Sequence, residues 1–328
     1  MKAEIIAGIP SKLLKAEVDA LPAEQRLFDN GRFRVCYARA AQMPWCLREL
    51  GRLRELTFRT AGEGTGKPSD IDRFDAYYLH LFVWDTQAEV IAGAYRLGLA
   101  DQIVDRYGTR GLYTQSLFKY GDALLRSLNP AIELGRSFVR SEYQRDGSTL
   151  SLLWLGIGRF IVLAPRYAML FGAVSISASY DSDSRRLMVA FLTAKRIDAN
   201  RARHVKPRRP PLEHIGAMHL DGDLTDLKSV EDLSRLISRI EPDRRGIPIL
   251  LRQYLKCGGQ LLGFSSDKRF GNTIDGLIVV DLRNTPRRTL ARYMSESGAS
   301  AFLGHHAALP SLPSCDFYDR CSANRISY

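Results

Sequence analysis

Residues 75–85, DAYYLHLFVWD, fit almost no environment except the middle of a sheet. In an extended segment Tyr78, Phe82 and Trp84 fall on one face, and Tyr77, Leu79, Leu81 and Val83 on the other. A strand that is apolar on both faces has to be covered on both, so layers must pack above and below it. The surrounding pattern supplies them. Residues 31–39 and 90–97 read as strands. Pro44 opens a helix over Trp45–Arg59. Ala131–Val139 is a strand, followed by the polar loop 141–149, a helix over Leu150–Ala164 closed by Pro165, and a strand over Tyr167–Ser177. Helices are expected at 184–196, at 229–240 (with Ser229 and Asp232 as a capping box) and at 248–257. A last strand, Leu277–Leu282, precedes a short helix over Asn284–Met294. Strands and helices thus interleave, which predicts an α/β (α+β) chain with a central mixed twisted sheet flanked by helices. The domain is placed at 31–285, after a loosely attached leader at 1–30 broken by Pro10 and Pro22. An Arg- and Pro-rich excursion spans 197–227, a basic helix and C-terminal tail span 286–328, and the tail reads as poorly ordered after Gly304. The loop GEGTGKPSD (62–70) reads as mobile.

Composition excludes several classes. With 45% hydrophobic and 25% charged residues, the 328-residue chain is not disordered. No apolar run reaches the roughly 18–20 residues of a membrane-spanning helix. The first twenty residues carry charges throughout and lack the apolar stretch of a secretory signal. Five scattered cysteines argue against a disulfide framework. A cytoplasmic protein is the expectation. The net charge of +11 is concentrated in two places. Residues 185–210 hold nine Arg or Lys against Asp198, and 283–292 hold Arg283, Arg287, Arg288 and Arg292 with no acid. The remainder is close to neutral, so these patches either meet something anionic or serve solubility. Nucleic acid is disfavoured, because no aromatics interleave with the arginines and no binding module is visible.

The chemistry-bearing candidates are charges embedded in apolar strands or opening them. Asp72 and Asp75 open the central strand, Arg96 closes the next, and Glu133 and Arg136 sit within AIELGRSFV. A buried charge is costly unless paired, so an ion-pair cluster is expected whether or not it is functional. Gly135 permits a bulge that turns Glu133 and Arg136 toward one cleft. His80 lies mid-strand, as a core histidine or a catalytic base. Gly147, with Ser148 or Thr149 capping the following helix, forms an anion-binding geometry suited to a diphosphate or a phosphopantetheine phosphate. Metal spacing is absent around His204, His214, His219, His305 and His306. DGDLTDLKSVED (221–232) lacks the central glycine of a calcium loop.

The order Arg54-x3-Phe58, Asp72-x2-Asp75, Arg96, Glu133-x2-Arg136 resembles the signature of acyl-homoserine-lactone synthases. The fuller text (DIDRFDAYYLHLFVWD, GAYRLG, ELGRSFVRSEYQ, LLWLGIGRFI, LFGAVSIS, LLRQYLKCGGQLLGF, DGLIVVDL) resembles more closely the ornithine-lipid type N-acyltransferases, often labelled hemolysin-like, over about residues 35–285. Both have the GNAT acyltransferase fold. The resemblance implies transfer of a fatty acyl group, often 3-hydroxylated, to the α-amine of an amino acid, with ornithine the expected acceptor. The donor is acyl carrier protein, or acyl-CoA, as a thioester co-substrate, and no bound cofactor or metal is implied. An acyl-homoserine-lactone-like synthase or a degenerate carrier- or lipid-binding module are the alternatives. On this reading Glu133, or else His80, deprotonates the amine. Arg96 and Arg136 hold the acceptor carboxylate, and Asp72 or Asp75 a side-chain ammonium. A backbone N–H near Phe138, Val139 or Arg140 meets the oxyanion. Arg145, Gly147, Ser148 and Thr149 take the phosphopantetheine, although QRDGST departs from the glycine-rich loop of acetyl-CoA users. The two basic patches would then meet acidic carrier protein or the inner face of an anionic membrane.

Overall fold

A computed structural model describes residues 3–145, 147–211 and 227–308. Helix α1 (Ser11–Asp19) leads into the hairpin β1 (Arg26–Asn30) and β2 (Phe33–Arg39), then α2 (Pro44–Thr60). Strands β3 (Leu79–Asp85) and β4 (Val90–Leu99) follow, with α3 (Ala100–Tyr107), a short β5 (Phe118–Tyr120) and α4 (Asp122–Leu128). The centre is β6 (Ala131–Val139), α5 (Ser148–Leu163) and β7 (Met169–Ile176). Then come α6 (Ser182–Arg196), α7 (Ala199–Ala202), β8 (Val205–Pro207), α8 (Val230–Ile240) and α9 (Ile249–Lys256). The described chain closes with β9 (Gln260–Asp267), β10 (Thr273–Asp281), α10 (Arg287–Met294) and α11 (Glu296–Ala307). Among the described residues no helix is long and apolar enough to cross a membrane.

The strands form an eight-stranded sheet in the order β1-β2-β3-β4-β6-β7-β10-β9, with β6 and β7 parallel and the other neighbours antiparallel. This is the expected mixed sheet, and β3 is buried at all seven positions, as its two apolar faces require. Leu79, Leu81 and Val83 join Leu153 and Ile157 of α5 in one core. Phe82 and Trp84 join Leu50 and Leu53 of α2 in the opposite one. Each fully buried side chain of this size contributes about 1.5–3 kcal/mol, so both layers hold the strand in place.

One irregularity shapes the site. β6 and β7 pair only from Ala131–Met169 to Leu134–Gly172, whereas β7 goes on pairing with β10 as far as Ile176–Ile274. From Gly135 onward the two parallel strands part and leave a wedge in the sheet. Their last contact is very close: a Cβ on Gly172 would lie 2.2 Å from the Leu134 carbonyl oxygen, so no side chain fits there. On its other side β6 shifts register opposite Ala94–Arg96, and Arg136 adopts φ 49°. This is the bulge that Gly135 permits.

Three expectations change. The leader is packed: Leu14 and Val18 of α1 and Leu21 are buried against α2 and the sheet, and β1 pairs with β2. Pro10 and Pro22 stand immediately before helical segments and start them. The loop 62–70 is tethered, because the buried Glu55 carboxylate accepts hydrogen bonds from Thr65 N (3.0 Å), Thr65 Oγ1 (2.7 Å) and Gly66 N (2.8 Å). Part of the 197–227 excursion is built into the fold through α7 and through β8, which pairs with β5. The segment 212–226 (with His214, His219 and the first half of the rejected calcium loop), Asp146, and the tail from 309 lie outside the described residues.

Candidate active site

The embedded charges lie on the sheet face that α2 covers, where they form an alternating chain. Arg54 of α2 donates to Asp75 at 2.7 Å. Asp75 also accepts from Arg96 of β4 at 3.2 Å, and Arg96 donates to Asp72 at 2.7 Å. Arg136 of β6 approaches Asp72 at 3.6 Å and Asp70 at 2.9 Å. Asp72 and Asp75 belong to a reciprocal capping box on the turn before β3, which fixes both carboxylates. Burial favours the neutral acid at Asp75, but Arg54 and Arg96 outweigh it and hold the carboxyl well below the usual range. The Arg96 guanidinium lies 5.1–5.5 Å from the ring centres of Phe74, Tyr78 and Tyr113, a cation–π cage. The sequence reading expects Asp72, Asp75, Arg96, Glu133 and Arg136 in one ion-pair cluster; the fold brings Asp72, Asp75, Arg96 and Arg136 together, while Glu133 forms no ion pair with a described residue. Asp70 and Tyr113 complete it and were missed.

Glu133 and His80 are occupied. Glu133 is buried and accepts from Thr114 N (2.7 Å), Thr114 Oγ1 (2.5 Å), Tyr113 N (2.9 Å) and the Tyr78 hydroxyl. His80 Nε2 donates to the Asp75 carbonyl at 3.0 Å, so Nδ1 is the acceptor that faces Arg54 at 3.3 Å. Burial and the Arg54 charge push the His80 ring down to about 4, so it is neutral near pH 7.

The presumed donor side also differs in detail from expectation. Gly147, at φ 66°, is itself the N-cap of α5, so the cap falls one residue before the expected Ser148 or Thr149. Thr149 is buried, while Arg145 is exposed. The Arg140 N–H donates to the Ala92 carbonyl at 2.9 Å, toward β4. Backbone direction alternates along a strand, so the Val139 N–H points away from β4 and into the wedge. Phe138 is buried in the core under α2.

Arg136, Asp70 and Asp72 line a cleft of about 960 Å³. Phe74, Tyr113 and Phe270 give it aromatic surface. Lys67, Arg73 and Arg110 stand on one side, Arg208, Arg209, Lys268 and Arg269 on the other, and Asp267 adds a third acid. Cations outnumber acids, and two of the acids are already paired.

Two further carboxylates lie close by, and the sequence reading passed over both. Asp275 of β10 is 3% exposed and stands opposite Ser175, on the stretch of β7 that β6 has left. It accepts from Ser175 Oγ at 2.6 Å and Thr273 Oγ1 at 3.3 Å. Burial, with the Asp267 charge, pushes it up to about 7 against the Ser175 and Thr273 hydroxyls and Arg136. Glu63, half-buried in the tethered loop, is pushed up to about 7 by burial and by Asp275, with Arg136 opposing. A signal existed for Asp275: it is an acid inside an apolar strand, the pattern that singled out Glu133.

The wedge beside a helix N-terminus and the charged cleft on one sheet face define the class, a GNAT acyltransferase. Residues 53–155 match the acetyltransferase (GNAT) domain family. A glycine Nα-acyltransferase of Phocaeicola vulgatus is 34% identical over 281 residues, covering 82% of this chain and 85% of that protein. An L-ornithine Nα-acyltransferase of Brucella abortus is 26% identical over 308 residues, covering 87% and 99%. The chain belongs to this family of amino-acid Nα-acyltransferases. A solved CoA-dependent acyl-homoserine lactone synthase, in complex with SAM and isopentyl-CoA, aligns over 81% of this chain and 97% of its own with a TM-score of 0.40 and 13% identity.

Proposed function

We propose that this enzyme moves a fatty acyl group, 3-hydroxylated in the expected case, from acyl carrier protein to the α-amine of glycine. The observation that carries the acceptor choice is the charge balance of the cleft. Arg136, Arg208 and Arg209 suit one carboxylate, whereas Asp72 and Asp75, expected to hold a side-chain ammonium, already neutralise Arg96 and Arg54. A second positive charge on the acceptor would meet mostly cations. The glycine name of the Phocaeicola relative agrees. Ornithine remains the second reading, favoured by the Brucella relative that aligns over 99% of its own length.

The thioester enters the wedge beyond Leu134, its phosphopantetheine phosphate resting on Arg145 and the α5 N-terminus at Gly147. The Val139 N–H meets the developing oxyanion. Glu133 positions the 113–114 turn, and so Tyr113, against Arg136; His80 spaces Arg54 from the Asp75 backbone. Free acyl-CoA is the alternative donor. The exposed arginines of 185–210 and 283–292 would meet the acidic carrier or an anionic membrane at the cytoplasmic face, where a lipid product leaves.

The test offers purified enzyme long-chain 3-hydroxyacyl carrier protein with glycine, ornithine and the remaining amino acids, read by mass spectrometry. N-acylglycine should form fastest. Faster acylation of ornithine would overturn the glycine assignment, and no acylated product from any amine would overturn acyl transfer itself.

A further inference from the structure

We propose that Glu63 is the catalytic residue that takes the proton from the acceptor's ammonium, with Asp275 as its positioning residue. This rests on the acyl-transfer reading above. Glu63 is fixed although it lies in a glycine-rich loop. Its N–H donates to the Phe58 carbonyl at 2.8 Å, at the end of α2. Ser177 Oγ donates to the Ala61 carbonyl at 2.8 Å, tying the loop to the end of β7. At the β9–β10 turn, Gly271 packs so closely that a Cβ there would lie 2.4 Å from the Gly62 carbonyl oxygen and 2.9 Å from Glu63 Cα. These contacts hold the Glu63 backbone against the β9–β10 turn and the end of β7, beside the end of β10 that carries Asp275.

Neither acid forms an ion pair with a described residue, and Glu63 accepts no hydrogen bond from one. The acids of the neighbouring chain, Asp70, Asp72 and Asp75, all do pair with arginine. The charged and titratable groups around Glu63 and Asp275 are Arg136 from β6, Asp267 from β9, the Tyr113 phenol, and the Glu55–Arg59 pair of α2, which neutralises itself at 2.7 Å. Burial, with the charge of Asp275 on Glu63 and of Asp267 on Asp275, raises both acids to about 7 against Arg136, the range in which a carboxylate can accept a proton from an amine and return it to water. Asp275 is enclosed; Glu63 keeps solvent contact through which the proton can leave.

The step balances without any other reagent. The ammonium gives one proton to Glu63, and the free amine attacks the thioester carbonyl carbon. The C–N bond forms, the C–S bond breaks, and the departing thiolate takes a second proton from nitrogen. The amide keeps the third, and Glu63 releases its proton to water.

The experiment measures kcat against pH from 5.5 to 9.5 for wild type, Glu63→Gln and Asp275→Asn, with binding of the acyl carrier protein and thermal melting as controls for folding. Glu63→Gln should lower kcat at pH 7 about 100-fold or more, leave carrier binding unchanged, and recover about tenfold per pH unit as free amine becomes available without a base. Asp275→Asn removes a like charge, so the acid limb should move to lower pH while the plateau stays within tenfold. An active wild type whose Glu63→Gln form keeps kcat within threefold, or fails to recover at high pH, overturns the assignment alone. A wild type inactive toward every amine overturns the acyl-transfer reading and this inference with it.

Discussion

Two groups of acids lie on the same face of the sheet, and their surroundings differ sharply. Asp70, Asp72 and Asp75 alternate with Arg136, Arg96 and Arg54 in a continuous chain of ion pairs. Glu63 and Asp275, at the parted strands, have hydroxyls, each other and the more distant Arg136 for company. The first arrangement holds its carboxylates in ion pairs, which suits a scaffold that presents Arg136 to the cleft. The second leaves its carboxylates poised to change protonation. Most of the residues that mark the family by spacing are therefore paired in the fold, and the two acids proposed to act on the acceptor stand outside that motif.

The largest effect should come from opening the paired chain. Asp75→Ala leaves Arg54 and Arg96 buried without their shared partner, and should cost about 3–5 kcal/mol of unfolding free energy in urea titrations. A loss below about 1 kcal/mol would erase the contrast, since Asp75 would then be no more committed than Asp275. Asp275→Asn should act in the opposite direction. Its folded-state value of about 7 exceeds the ordinary 3.8, so the unfolded chain ionises first and the wild type loses stability as pH rises between those values. Asn at 275 should therefore stabilise the protein at pH 8, by on the order of a few kcal/mol, and the gain should fade toward pH 4. A destabilised variant at pH 8 with no pH trend would show that the Asp275 charge is satisfied in the fold. The smallest effect belongs to the surface patch. The Arg201–Asp198 pair is partly exposed, so replacing Arg201 and Arg203 with Ser should change stability by about 1 kcal/mol or less. Carrier or vesicle binding should weaken most at low salt; if neither changes, the patch is a solvated surface.

Much of this frame was legible because its signals are local. The two apolar faces of β3, the run from β6 through α5 to β7, and the Gly135 bulge each follow from periodicity or one residue's conformational freedom. What was illegible depended on distance or on broken patterns. β9 was not anticipated, because Gly263, at φ 149°, interrupts the alternation of QLLGFSSD where the strand shifts register. The packing of α1 was hidden because Pro10 and Pro22 break a helix or start one according to what precedes them. Glu63 looked like part of a mobile loop, since nothing within GEGTGKPSD reveals that Glu55, eight residues earlier, grips it. Glu63 is set beside the end of β10 that carries Asp275 by the contact of its loop with the β9–β10 turn, which no local pattern carries.

The close contact at Gly172 has a mechanical consequence. Below it the two halves of the sheet are sewn together by hydrogen bonds, and above it they diverge, so Leu134 and Gly172 act as the pivot of a pair of tongs. The reach of the jaws is set by strand length and their gape by how tightly the backbones touch at that point. With the thioester in the wedge, as proposed, acyl groups of different bulk would be measured against a gauge whose setting depends on a residue that never touches them.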